Sequence, residues 1–265
     1  MKDVKLLVFD VDGTLVPRGK SEVEATALQA ISEAREKGIQ ILLATGRSFF
    51  FIIDNVKKNL HPDYYVTVNG SCLVDENEQI IERYDIPRDI AKRFAEFCRD
   101  HHYPVGYKYG EGIGTYAGYE EFVSAYIGLD HPGKKYLFDD TDYSHLDKEE
   151  PLGIFLIAPT AEQANIQKEF PELVISIAYD HAYDIYRVGV DKTKTIESVM
   201  KRLGITWDQV ISFGDGENDI EMLEKAGIGI AMGNASDLVK EHADYVTDHI
   251  QEDGIYNAFK HLEII

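Results

Sequence analysis

The chain has 265 residues, with 47 Asp+Glu against 27 Lys+Arg and a formal net charge of −20. That acidity argues against nucleic acid and anionic membrane surfaces as partners. A hydrophobic content of 44% with 28% charged residues is that of a globular chain, not a disordered one. Cys72 and Cys98 are too few for a disulfide framework or a four-cysteine zinc site, and they fit a reducing cytoplasm. No apolar run reaches the roughly 20 residues of a membrane span, and Met1-Lys2-Asp3 opens no targeting segment, so the expected location is cytoplasmic. Oligomeric state is left open.

In chain order, Lys5–Phe9 is a continuous apolar run, the mark of a strand buried on both faces of a parallel sheet. Ser21-Glu22-Val23-Glu24 reads as a capping box opening a helix that runs to Gly38. Ile39–Ala44 is a second strand, followed by helix from about Ser48 and a third strand at Tyr65–Val68. This alternation predicts a right-handed parallel α/β sheet. Cys72–Val74 and Gln79–Arg83 flank an acidic turn and predict a hairpin. Beyond it come helices at Arg88–His101 and Thr160–Phe170, strands at Ile154–Ala158 and Leu173–Ile177, and an irregular acidic loop at His131–Glu150. The βα pattern then returns, with helix Lys192–Leu203, strand Val210–Phe213, helix from about Asn218 and strand Ile228–Ala231. The expected organisation is a Rossmann-like core made of residues 1–83 and 188–265, with an α+β cap inserted at 84–187.

Ligands of open α/β sheets bind beyond the carboxyl ends of the strands. Asp10, Thr45 and Asp215 each follow a strand, so their side chains are expected in one crevice. Lys192 opens a helix, where a cation opposes the helix dipole and asks for another reason, such as a phosphoryl group. Asp10, Asp12 and Asp215, with Asp219 behind them, would repel one another unless a cation joins them, and an all-oxygen donor set suits Mg²⁺. In Asp10-Val11-Asp12-Gly13-Thr14-Leu15 the first aspartate can attack phosphorus and the second can exchange protons with the leaving group and water. The same residues also suit an ordinary turn, since Asp and Gly are common turn residues. Thr45-Gly46-Arg47 offers a hydroxyl and a cation for a phosphoryl oxygen, or simply a capped helix start. Gly214-Asp215-Gly216-Glu217-Asn218-Asp219 reads as a metal and anion site with less competition from a turn.

Taken together, these clusters resemble the haloacid dehalogenase superfamily of phosphohydrolases, most closely its Cof-type branch. Ala44-Thr45-Gly46-Arg47, Val68-Asn69-Gly70, Gly189-Val190-Asp191-Lys192 and Ala231-Met232-Gly233-Asn234-Ala235 extend the match over residues 5–235. The resemblance implies Asp10 as nucleophile, Asp12 as acid/base, and Mg²⁺ held by Asp10, the Asp12 carbonyl and Asp215. It further implies Val11, Thr45, Gly46, Lys192 and Asn218 around the phosphate, supported by Arg47, Asn69 and Asp219. Thr193 stands where the family usually has Gly after the lysine.

The expected activity is Mg²⁺-dependent hydrolysis of a small phosphorylated metabolite, sugar phosphates favoured, through an aspartyl-phosphate. A phosphomutase, a phosphoacceptor signalling module and a binding-only protein are the alternatives, and Asp12, which serves turnover, argues against the signalling module. The tyrosines of the stretch Tyr103, Tyr107, Tyr109, Tyr116, Tyr119, Phe122 and Tyr126 are either cap core or contacts for substrate hydroxyls under a closing cap.

Overall fold

The structure, a computed structural model, describes residues 3–265. Met1 and Lys2, on which the expectation of no targeting segment partly rests, lie outside the described residues. Two compact units emerge: residues 3–45, 52–82 and 191–265 form the core unit, and residues 46–51 with 83–190 the inserted unit.

The core unit begins β1 (Leu6–Phe9), α1 (Ala25–Glu36), β2 (Gln40–Ala44), α2 (Asp54–Leu60), β3 (Tyr64–Thr67), β4 (Cys72–Asp75) and β5 (Ile80–Arg83). All four residues of β1 are buried. Leu6 and Val8 pack on one side with Ile196, Val199 and Met222; on the other, Phe9 stacks on Phe213 at 4.8 Å and on Phe259 at 6.4 Å. Two buried faces are why the strand carries no polar alternation. The Ser21–Glu24 capping box does not form: Glu24 is the N-cap, extended and without a side-chain hydrogen bond. The buried stripe Ala27, Ala30, Ile31, Ala34 starts the helix later than Ser21 would require. Helix after Thr45 is also delayed, with Phe49–Phe51 forming a 3-10 turn before α2.

The inserted unit contains α3 (Arg88–Asp100), β6 (Val105–Lys108), β7 (Ile113–Ala117), α4 (Tyr119–Tyr126), β8 (Leu137–Asp139), β9 (Gly153–Ile157), α5 (Gln163–Glu169), β10 (Leu173–Tyr179) and β11 (Ala182–Arg187). Its six strands run β10-β11-β9-β6-β7-β8, antiparallel except for the β7–β8 pair. One face packs Ala91, Phe94 and Cys98 of α3 and Ile166 of α5 against Tyr107, Ile154, Leu156 and Ile185. The opposite face gathers Ile113, Phe155 and Ala182 under Phe122 and Val123 of α4, with Phe50 and Phe51 packed on the same cluster. Strand β8 and a 3-10 turn at Pro132–Tyr136 occupy part of the stretch expected to be irregular.

The chain closes the core unit with α6 (Lys192–Leu203), β12 (Val210–Gly214), α7 (Ile220–Lys225), β13 (Ile228–Ala231), α8 (Asp237–Glu241), β14 (Tyr245–Val246) and α9 (Gly254–His261). The sheet order is β14-β13-β12-β1-β2-β3-β4-β5, parallel from β14 through β3 and antiparallel between β3 and β4. This is a Rossmann-like α/β core with an α+β insertion. No helix among the described residues is long and apolar enough to cross a membrane.

The domain limits differ from the expected ones chiefly at residues 46–51. That segment directly follows a core strand, but Phe50 and Phe51, partly buried, pack their rings against the inserted unit's cluster. The aromatic stretch is also core: Tyr107, Tyr109, Tyr116 and Phe122 are at most 2% exposed. Their hydroxyls are used internally, Tyr107 donating to Ala91 O at 2.6 Å, and Tyr116 to Asp140. Tyr103 packs against the same cluster, Tyr119 and Tyr126 against the second.

Candidate active site

The adjacent strands β1 and β12 end side by side, Phe9 in register with Phe213, and Asp10 N–H donates to Phe213 O at 3.0 Å. That pairing sets Asp10 beside Asp215. Gly13, at φ +98°, turns the chain immediately after them; a Cβ there would lie 2.2 Å from Asp215 Oδ2. Only a residue without a side chain permits this approach. Thr14 Oγ1 then donates to Asp215 Oδ1 at 3.1 Å, and Arg18 Nη2 to Oδ2 at 3.2 Å.

Lys192 enters from the first turn of α6, whose N-cap Asp191 accepts from Lys194 N–H at 2.7 Å. Its ammonium is buried and lies 2.7 Å from both Asp10 Oδ1 and Asp219 Oδ1. Asp219 is committed elsewhere as well, since its Oδ2 accepts from the amides of Asp215 (3.1 Å) and Gly216 (3.0 Å). Lys192 is thus the lysine that reaches the carboxylates, despite Thr193 following it.

Burial pushes the Asp10 carboxyl up to about 8, with Asp219 and Asp215 adding to the rise and Lys192 opposing it. Burial likewise raises Asp215, helped by Asp219 and opposed by Arg18 and Thr14. For Lys192, burial works against the charge, but Asp10 and Asp219 outweigh it and its pKa is raised. The cluster is therefore short of positive charge. Carboxylate oxygens of Asp10, Asp215 and Asp219 lie within 4.8 Å of one another. Asp219 is held on Oδ1 by buried Lys192 and on Oδ2 by two backbone amides. Asp215 is held by the Thr14 hydroxyl and the largely exposed Arg18 side chain, so Asp10 and Asp215 are the acidic donors more open to a cation. This hard, oxygen-only, electron-rich set fits a divalent ion such as Mg²⁺. The Asp12 side chain is not among those three carboxylates.

Thr45, buried, follows β2; its N–H donates to Val66 O at 2.8 Å and its carbonyl accepts from Asn69 N–H at 3.1 Å. Val68 and Asn69 both have positive φ, at +50° and +51°. For a β-branched Val this is a strained conformation, held here where the chain turns toward the site. Asn69 Oδ1 accepts from Asn218 Nδ2 at 3.0 Å, joining two expected phosphate-side residues. Val11 is buried in the β1–turn junction, its carbonyl accepting from Leu15 and Val16 N–H. Gly46 and Arg47 lie in the inserted unit, where Arg47 Nη1 donates to Phe51 O at 2.9 Å.

Three participants were not singled out from the sequence. Thr14 orients Asp215, and Asn234 holds the turn by donating to Gly13 O at 2.8 Å while accepting from Ile250 N–H at 3.1 Å. Both stand inside runs that carry the resemblance, so a signal existed. Arg18 carries none: only the folded turn brings it to Asp215.

Paired carboxylates and a lysine at the strand ends of such a core define a class, and residues 7–259 match the haloacid dehalogenase-like hydrolases. The chain belongs to this family, in its Cof-type branch, and is an enzyme of the phosphatase class. It is 29% identical over 266 residues to 5-amino-6-(5-phospho-D-ribitylamino)uracil phosphatase YcsE of Bacillus subtilis, covering 98% of this chain and 96% of that one. Pyridoxal phosphate phosphatase YbhA of Escherichia coli is 27% identical, with 97% and 98% covered. A solved sugar phosphatase of subclass IIB is 31% identical, with 99% and 100% covered and a TM-score of 0.85.

Proposed function

We propose that the protein is a Mg²⁺-dependent phosphatase that hydrolyses a small phosphate monoester through an aspartyl-phosphate on Asp10. The observation that carries this reading is the buried ammonium of Lys192, 2.7 Å from both Asp10 and Asp219 beside the Asp215 carboxylate. A strand-end carboxylate so placed is fixed in orientation by a cation that also suits a phosphoryl oxygen. Mg²⁺ on Asp10 and Asp215 supplies charge neutralisation, letting an anionic ester approach anionic side chains.

In this reading an Asp10 carboxylate oxygen attacks phosphorus as the ester P–O bond breaks. Asp12 gives its proton to the departing alkoxide, producing the free alcohol. Asp12 then takes a proton from water attacking the acyl phosphate, which releases inorganic phosphate and restores Asp10. Lys192 and the Thr45 hydroxyl hold the phosphoryl oxygens, while Asp219 keeps Lys192 in place. The named relatives act on a phosphoribityl compound, pyridoxal phosphate and sugar phosphates, which supports a small phosphorylated metabolite as the substrate class. The sugar preference takes no support from the tyrosines, which pack inside the inserted unit.

The test is phosphate release from a panel of phosphorylated metabolites with Mg²⁺, comparing the wild type with Asp10→Asn. The variant should keep its circular dichroism and lose turnover, because an amide is neither a nucleophile nor an anionic ligand. Full activity in a folded Asp10→Asn protein would sink the mechanism.

A further inference from the structure

Between β2 and α2 the chain leaves the core unit for the six residues Gly46–Phe51 and then returns. The single insertion expected at 84–187 does not include this excursion, and its attachment is built from specific contacts. The Phe51 ring lies 5.8 Å from Tyr126 and 5.7 Å from Tyr136, and Phe50 lies 4.9 Å from Tyr136. Gly133 approaches so closely that a Cβ there would lie 2.6 Å from the Phe51 ring. Ser48 is buried too, and its hydroxyl finds no hydrogen-bond partner among the described residues.

The polar part of the attachment is Lys108, on β6. Its side chain is 3% exposed, its Nζ lies 2.5 Å from Asp184 Oδ1 on β11, and it donates to Gly46 O at 3.1 Å. The ammonium also sits 5.5 Å from the Phe155 ring centroid. Burying a lysine demands compensation. Asp184 answers the charge, but it does not require the bond to a neutral backbone carbonyl two sequence segments away. That carbonyl belongs to Gly46, which has no side chain of its own to fix it and is joined directly to Thr45.

We infer that Lys108 is a positioning residue for the Thr45–Gly46 turn. By fixing the Gly46 carbonyl, it limits the backbone freedom of the residue that directly follows Thr45, and so the orientation in which the Thr45 hydroxyl meets a phosphoryl group. Asp184 keeps Lys108 charged and aimed, and Phe50 and Phe51 carry the apolar share of the same restraint. The inference rests on the proposed role of Thr45 at the phosphate.

The experiment is calorimetric titration of inorganic phosphate in Mg²⁺ into the wild type, Lys108→Met, Lys108→Arg and Phe51→Ala, with KM and kcat taken on one substrate. Lys108→Met should weaken phosphate binding about tenfold, the loss of one well-placed hydrogen bond to a charged group, and raise KM more than it lowers kcat. Lys108→Arg, which keeps a donor and the charge, should recover most of that loss. Phe51→Ala, which leaves the ion pair intact, should weaken phosphate in the same direction and covers the case in which Lys108→Met does not fold. A lysine that serves only stability would lower the thermal midpoint and leave phosphate affinity within twofold; that result in Lys108→Met or, if it does not fold, in Phe51→Ala overturns the inference. Failure of the wild type itself to bind phosphate with Mg²⁺ would instead overturn the reading of the active site on which it rests.

Discussion

Lys192→Met removes the ammonium that lies 2.7 Å from both Asp10 and Asp219 while nearly keeping the side chain's volume. The three side chains are 2%, 9% and 1% exposed, so water cannot replace the lost cation. Breaking a buried ion pair by removing one partner costs about 3–5 kcal/mol, and that is the expected loss of stability without Mg²⁺. The loss should also depend on pH. Burial, then Asp219 and Asp215, already lift wild-type Asp10 to about 8 against Lys192, whereas unfolding returns it to the ordinary carboxyl value of 3.8. Between those limits the folded state binds more protons than the unfolded one, so stability falls as pH rises. Without Lys192 the Asp10 carboxyl rises further, so the variant should lose more at about pH 8 than at about pH 5. Urea unfolding in EDTA at the two pH values measures both effects. A loss below about 1 kcal/mol, the range of a solvent-exposed pair, or the same loss at both pH values, would refute the reasoning.

Asp12→Asn should lower kcat by about 10²–10⁴-fold while leaving the thermal midpoint near wild type, as steady-state assays and calorimetry would show. Gly13→Ala places a Cβ 2.2 Å from Asp215 Oδ2 at φ +98°; it should cost about 1–2 kcal/mol in backbone strain and weaken Mg²⁺ binding, read by urea unfolding and metal titration. Mg²⁺ should raise the thermal midpoint of the EDTA-treated protein, and more at about pH 8 than at about pH 6, because a cation competes with the proton that Asp10 holds up to about 8. A thermal shift independent of pH would contradict that linkage.

The core of this protein is largely legible in its amino-acid order. Apolar runs buried on both faces can be little other than central parallel strands, and polar residues at the ends of such strands must meet at one edge of the sheet. Asp10 and Asp215 are therefore legible as neighbours, with Thr45 after the adjacent strand β2, and Asp191 as a helix cap over Lys192. Local spacing does not fix which carboxylate does what inside that neighbourhood. Asp219, a supporting residue by resemblance, is seen to hold Lys192 on one oxygen while the amides of Asp215 and Gly216 take the other. Arg18, 197 residues from Asp215 in sequence, has no signature before the chain turns. The same holds for residues 46–51 and the tyrosines, where sequence pattern cannot say which of two buried surfaces a ring joins. Burial by a partner distant in the chain settles that, and only the tertiary structure supplies the partner: Tyr136 for Phe50 and Phe51, Asp140 for Tyr116, and Gly46 for Lys108.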